Sequence, residues 1–191
     1  MAHNNQEIEL KLPLTREQFD KVSKKLQKIA KFVKFCHQID DYFTPTYKSF
    51  LLAKYPYEWL SIRKRNGKVV LNYKHWYPEN AKYTTHCDEY DTEVGDVEQL
   101  EKILAALSFR NLVTFEKKRS VFLYQNSLEI ALDEVKELGF FIEVETMKDF
   151  GSVEEARREI IKFTKTLDLL GTRTVPGGYA AALMRQKGLV K

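Results

Sequence analysis

The 191-residue sequence predicts an α+β fold built on an antiparallel sheet or closed barrel, with helices inserted at three points. Three observations carry that reading. About eight segments alternate charged and apolar side chains with a period of two, which gives a strand one ionic and one aliphatic face. Most of these segments follow one another through short, turn-like connections, and hairpin-linked strands run antiparallel. No glycine-rich phosphate loop stands between a strand and a helix, so a parallel, doubly wound sheet has no support.

The elements follow in chain order. The first strand is "QEIELKLPL", where Glu7, Glu9 and Lys11 alternate with Ile8, Leu10 and Leu12; it is expected to stop near Pro13. Thr15 is a helix N-cap with Gln18 at the capping-box position, opening a helix to about Ala30 with Phe19, Val22, Leu26 and Ile29 as its apolar stripe. "FVKFCHQIDDYFT" reads as a long strand, and residues 46–57 as a loop. "EWLSIRKRNGKVVLNYKHW" is two strands joined at Asn66-Gly67, a tight-hairpin pair. "AKYTTHCDEYDTEV" is a further strand, and Asp96 then caps a helix through about Leu107. Strands follow at 110–124, 127–136 and 139–146, the last two turning near Leu138-Gly139. Ser152 caps a helix to about Leu170, with Val153, Ala156, Ile160, Phe163, Leu167 and Leu170 as its apolar stripe. Gly171, Pro176, Gly177 and Gly178 break it, and a short tail helix begins near Tyr179.

Bulk properties narrow the function. With 43% hydrophobic residues the chain can bury a core of its own, and one domain over 1–191 is expected. Cys36 and Cys87 have neither metal-ligand spacing nor the makings of a disulfide framework, and no signal-peptide pattern is seen, so a cytoplasmic location is expected. No apolar run approaches membrane-spanning length, so no membrane partner is expected. The net charge of +4 is mild, and the arginines of "IRKRNGK" share a strand's ionic face, so no nucleic-acid partner is expected.

Those ionic faces recur. Arg63 and Arg65 share a face with Trp59 and Ser61; Lys74 sides with Asn72, Lys117 with Arg119, Glu129 with Asp133, and Glu143 with Glu145. Alternation of this kind fits an exposed sheet whose wet side carries a salt-bridge lattice. Charges nevertheless outnumber neutral polar residues on these faces, and they segregate, with carboxylates on the first and last strands and Arg and Lys on middle ones. Hard carboxylate oxygens suit Mg²⁺ or Mn²⁺, and Arg forks suit phosphate oxygens, so a metal-bound polyphosphate would satisfy both groups.

The motifs resemble a known family. Glu7-Ile-Glu9-Leu-Lys11 resembles the ExExK signature of the CYTH, or triphosphate tunnel metalloenzyme, superfamily. "DDYFT", "LSIRKR", "LNYK", the Lys117-x-Arg119 pair and "LDEVKELGFFIEVE" resemble its further motifs in the family's order, the last of them closest to the class IV adenylyl cyclase-like branch. The resemblance implies a closed eight-stranded antiparallel barrel, open as a tunnel, with ionic faces inward and helices packed outside. It implies Mg²⁺ or Mn²⁺ on Glu7, Glu9, Asp133, Glu143 and Glu145, and a triphosphate held by Lys11, Arg63, Arg65, Lys74, Lys117 and Arg119. Lys74 and Glu9 are the implied catalytic residues. The expected substrate is a nucleoside or other organic triphosphate, with ATP cyclised to cyclic AMP and pyrophosphate as the first reading; the alternatives are hydrolysis of thiamine triphosphate, a nucleoside triphosphate or inorganic tripolyphosphate, and a non-catalytic polyphosphate- or nucleotide-binding module. The tail helix is expected to cap one tunnel mouth, and the resemblance also allows a homodimer. Two positions depart from the family pattern: Ser61 and Cys87 stand where arginines are common, which bears on substrate choice.

Overall fold

A computed structural model describes residues 6–169 and 178–189, with side chains from Ile8 onward. Among them are nine strands and four helices: β1 (Gln6–Glu7), β2 (Glu9–Leu14), α1 (Arg16–Ile29), β3 (Lys31–Pro45), β4 (Glu58–Arg65), β5 (Lys68–Tyr77), β6 (His86–Glu93), α2 (Val97–Ala106), β7 (Phe109–Tyr124), β8 (Leu128–Val135), β9 (Gly139–Thr146), α3 (Val153–Thr166) and α4 (Gly178–Gln186). The fold is α+β with an antiparallel sheet, as the alternation predicts. The chain divides into two compact units, and β3 and β7 run through both.

One unit takes Glu7–Cys36 and the chain from Lys117 through α3. Its strands neighbour one another in the order β3-β7-β8-β9-β2. The β7–β8, β8–β9 and β9–β2 pairs are antiparallel, with Lys11 opposite Glu143 and Arg119 opposite Asp133. The aliphatic faces of β2, β8 and β9 pack under α1 and α3: Leu12, Ile130, Leu132, Ile142 and Val144 meet Val22, Leu26, Ile160 and Phe163 in one buried cluster. These strands therefore bury their aliphatic side beneath helices and leave the opposite side to the charges. Thr15 accepts from Gln18 N–H and Gln18 returns a bond to the Thr15 N–H, the full capping box. The strand continues through Pro13 to Leu14, which an edge strand tolerates because the missing N–H costs no ladder bond on the open side. Helix α3 stops at Thr166 rather than near Leu170. The Leu167 N–H turns back to the Thr164 and Lys165 carbonyls, and Asp168 takes a φ of 60°. Leu170, Gly171, Pro176 and Gly177 lie outside the described residues.

The other unit takes His37–Glu116 and the tail helix. Here the order is β6-β5-β4-β3-β7, with antiparallel pairing from β3 through β6 and the short β1 beside β6. Asn66 and Gly67 turn the β4–β5 hairpin with φ of 51° and 79°, the double left-handed geometry of a two-residue turn. Strand β6 begins at His86, not Ala81, because its partner β5 ends at Tyr77, opposite His86, and the next residue, Pro78, has no N–H to extend the ladder. Helix α2, capped by Asp96, covers Leu60, Ile62, Leu71 and Phe43 through Leu100 and Leu104. Tyr179 of α4 stands edge-on to Phe115; Phe115 stacks on Tyr42, and Tyr42 meets Trp59 edge-on. The tail helix thus covers the side of β3 and β4 that carries Asp40 and Arg63, two residues along from Tyr42 and four from Trp59.

Candidate functional site

The charged residues singled out by sequence fall into two clusters, one in each unit. In the unit of β2, β8 and β9, the cations sit among the carboxylates. Lys11 Nζ lies 3.1 Å from Glu9 Oε1 and 2.9 Å from Glu143 Oε1. Arg119 donates from Nε and Nη2 to the two oxygens of Asp133 at 2.7 and 2.6 Å, and its Nη2 also reaches Glu143 Oε2. Lys117 Nζ is 3.5 Å from Asp133 Oδ2. Asp133 is 0% exposed, and none of the six side chains exceeds 13%, so little water screens these pairs. Burial pushes the Glu143 carboxyl up, but Arg119, Lys11 and Lys117 outweigh it and hold the group well below the ordinary carboxylate range.

Strand register adds a residue that sequence did not single out. Glu9 faces Glu145 across β2–β9, and Glu145 faces Glu129 across β8–β9, which sets three carboxylates in a row across three strands. Like charges directly opposite one another are unfavourable unless a cation enters, and Lys11 reaches Glu9. Glu129 shares its face with Asp133 by parity, yet only register shows that it stands beside Glu145. The side chain of Glu7 lies outside the described residues.

In the other unit, Arg63 is held by Asp40 at 3.5 Å and Asn72 at 3.4 Å, with Glu89 at 3.9 Å. Lys74 lies 3.4 Å from Glu89 and 5.7 Å over the Trp76 ring. Asn72 donates to Glu89 at 2.7 Å and to Asp91 at 2.5 Å. Asp40 is buried, and both its oxygens accept from the Gln38 amide at 2.9 and 2.8 Å. Arg65 stands opposite Gln38 and Lys68 in the ladder. Asp40 and Gln38 are the positioning groups that sequence reasoning passed over, although Asp40 lies in the quoted "DDYFT" segment. Among the described residues, the buried Gln38 Oε1, Trp59 Nε1 and Ser61 Oγ have no hydrogen-bond partner. They sit on the same face as Arg63.

Among the described residues no three carboxylate, imidazole or thiol side chains are gathered as a ready metal cage. The donor chemistry still fits a hard divalent cation. Glu9, Asp133 and Glu143 are carboxylates on one face of the sheet, from β2, β8 and β9, and their oxygens engage Lys11, Lys117 and Arg119. Among the described residues no helix is long and apolar enough to cross a membrane.

The family model of the CYTH domain matches residues 5–179. The chain belongs to the CYTH domain family. Among solved structures, the CYTH chain is similar to the PH1819 protein from Pyrococcus horikoshii OT3, at 26% identity and a TM-score of 0.72 over 95% of this chain and 99% of that one. The PH1012 protein of the same organism matches at 25% identity and a TM-score of 0.71, over 89% and 94% of the two chains. HpAC1 from Hippeastrum, described as a candidate adenylyl cyclase with a dominant triphosphatase activity, matches at 20% identity and a TM-score of 0.65 over 97% of each chain; at that identity the likeness is one of fold. No curated protein matches the chain.

Proposed function

We propose that this CYTH domain is a divalent-metal-dependent enzyme acting on a nucleoside or other organic triphosphate. One observation carries the reading: Lys11, Lys117 and Arg119 are packed with Glu9, Asp133 and Glu143 in a single buried cluster. Phosphoryl chemistry needs positioning and charge neutralisation more than covalent help, and this cluster holds groups for both. Lys11, Lys117 and Arg119 bind phosphate oxygens, and the Arg119 fork, already preorganised by Asp133, stabilises charge as it develops. Glu9, Asp133, Glu143 and Glu145, with Glu7 by family resemblance, would hold an Mg²⁺ or Mn²⁺, which would supply charge neutralisation and nucleophile activation. By family resemblance, Arg63, Arg65 and Lys74 also serve the phosphate chain, and Lys74 steers the nucleophile.

The "LDEVKELGFFIEVE" ending favours class IV cyclase chemistry, in which a ribose 3′-hydroxyl attacks the α-phosphate and pyrophosphate leaves. The second reading is water attacking the terminal phosphate, the triphosphatase activity named for HpAC1, which shares the fold. Incubation with Mg²⁺ or Mn²⁺ and ATP, thiamine triphosphate or tripolyphosphate, with the products resolved, tests both. Cyclic AMP with pyrophosphate supports the cyclase, and orthophosphate release supports the triphosphatase. Glu9→Gln and Glu145→Gln are expected to abolish metal-dependent turnover in a folded protein; full activity in both would remove the metal assignment. Binding without turnover under every metal and pH would leave a polyphosphate-binding module.

A further inference from the structure

Strand β3 starts well before its β4 partner joins it. The β3–β4 register begins at Gln38, opposite Arg65, and the β4 chain then turns at Asn66 and Gly67. Among the described residues, Lys31–Cys36 therefore has β7 as its one strand neighbour, and its other edge carries main-chain N–H and C=O groups with no ladder. Lys31 through Phe35 are all exposed, with Phe32 at 53%, Val33 at 49% and Phe35 at 56%. Phe32 meets Phe122 of β7 edge-on, which ties the segment to the sheet while its rim stays in water. An exposed apolar edge of this kind is a template for one more strand.

Charge selects the occupant. Between Asp20 and Asp40 the chain has lysines at 21, 24, 25, 28, 31 and 34 and no carboxylate. Lys21 is engaged by Asp168 and Lys25 by the Thr166 carbonyl. Lys28, Lys31 and Lys34 are exposed and, among the described residues, have no carboxylate partner. A second copy docking edge to edge would bring its own lysines against these and be repelled. An anionic lipid surface would take the lysines and phenyl rings but leave the main-chain groups unpaired. An extended acidic segment satisfies all three features at once, with its backbone on the open ladder, its carboxylates on the lysines and its apolar side chains on Phe32, Val33 and Phe35. We propose that the open edge at Lys31–Cys36 is a docking site where a partner protein adds an extended strand of alternating acidic and apolar residues.

Fluorescence anisotropy of the full chain with a labelled synthetic peptide of about six residues, alternating Glu with Val and Tyr, tests it. This peptide is expected to bind about 10-fold more tightly than the same peptide with Lys in place of Glu. The double variant Lys31→Glu with Lys34→Glu should invert that preference; both positions are exposed, so the fold does not depend on them. Phe35→Ser should weaken the Glu peptide about 10-fold and serves as the second variant. On binding, amide hydrogen exchange should slow within Lys31–Cys36, and N-methylation of every second peptide amide should abolish binding. Equal affinity for the two peptides, or binding that survives N-methylation in both alternate sets, would overturn the proposal. No binding of either peptide would overturn it too and leave Lys31 and Lys34 as guards of an exposed edge. Binding to phosphatidylserine vesicles without binding the peptide would make a membrane the occupant. Wild-type self-association that the double variant abolishes would make a second copy the occupant; either result overturns the proposal.

Discussion

Arg119 spends its guanidinium on two carboxylates at once, Asp133 through a two-point fork and Glu143 through Nη2. Such a pair has lost its water, so its members depend on one another. Asp133→Asn would leave Arg119 and Lys117 beside a neutral group at the most buried point of the cluster. A loss of about 3–5 kcal/mol is expected, read as a lower urea midpoint; a wild-type midpoint would show that the cluster relaxes without cost. A pH dependence attaches to Tyr73. Burial first, and then its 3.0 Å bond to Glu58, raise its phenol above the ordinary value of 10.0. A group whose folded pKa is raised contributes stability that is complete below the unfolded value and is lost as pH rises through the folded one. Tyr73 is therefore expected to ionise later than exposed tyrosines in an ultraviolet alkaline titration. Tyr73→Phe should remove that late step and, near neutral pH, the roughly 1 kcal/mol that the bond to Glu58 contributes.

At the scale of elements, helix starts and the hairpin turn were legible because their causes are local. A cap is satisfied within three residues, so Thr15 with Gln18, Asp96 and Ser152 could each be recognised from the chain alone. Thr15→Ala removes the hydroxyl that accepts from the Gln18 N–H and is expected to cost about 1 kcal/mol by denaturant unfolding, with α1 fraying first. Gly67 is a sharper case. A Cβ added there meets nothing within 4 Å, so Gly67→Ala is penalised by its φ of 79° alone. About 1 kcal/mol is expected, and an unchanged midpoint would show that the turn adapts. Strand ends were less legible. The start of β6 is set by where β5 runs out, and the end of α3 by a tightened last turn above Leu167 and Leu169, which remain buried in the core.

At the scale of the whole molecule, each compact unit has a core of its own. Leu26 and Ile142 are 0% exposed in the cluster beneath α1 and α3, and Ile62 is 0% exposed in the cluster beneath α2. Leu26→Ala and Ile62→Ala are each expected to cost about 2–5 kcal/mol, the spread reflecting how far each site collapses. Thermal or urea unfolding of both variants checks this. A cost below about 1 kcal/mol at Ile62 would mean that α2 settles into the gap. The charged faces opposite these cores persist for the same reason: once one side of a strand is committed to aliphatic packing, period two leaves the other side to the ions.

By itself the sequence determined which residues share a face, where helices begin, where the β4–β5 hairpin turns, and the ordered motifs that mark the CYTH family. Those are short-range properties, set by period two and by hydrogen bonds spanning a few residues. Only the tertiary structure decided which charges meet. Alternation specifies a side chain's face but not its partner along the strand, and sliding a strand by two residues keeps every face while changing every neighbour. Register placed Lys11 against Glu143, Arg119 against Asp133, and Glu129 in line with Glu145 and Glu9. Carboxylates that seemed to need a metal for neutrality are instead paired with the cations expected to hold phosphate, because in a buried cluster the nearest opposite charge is the cheapest counter-ion.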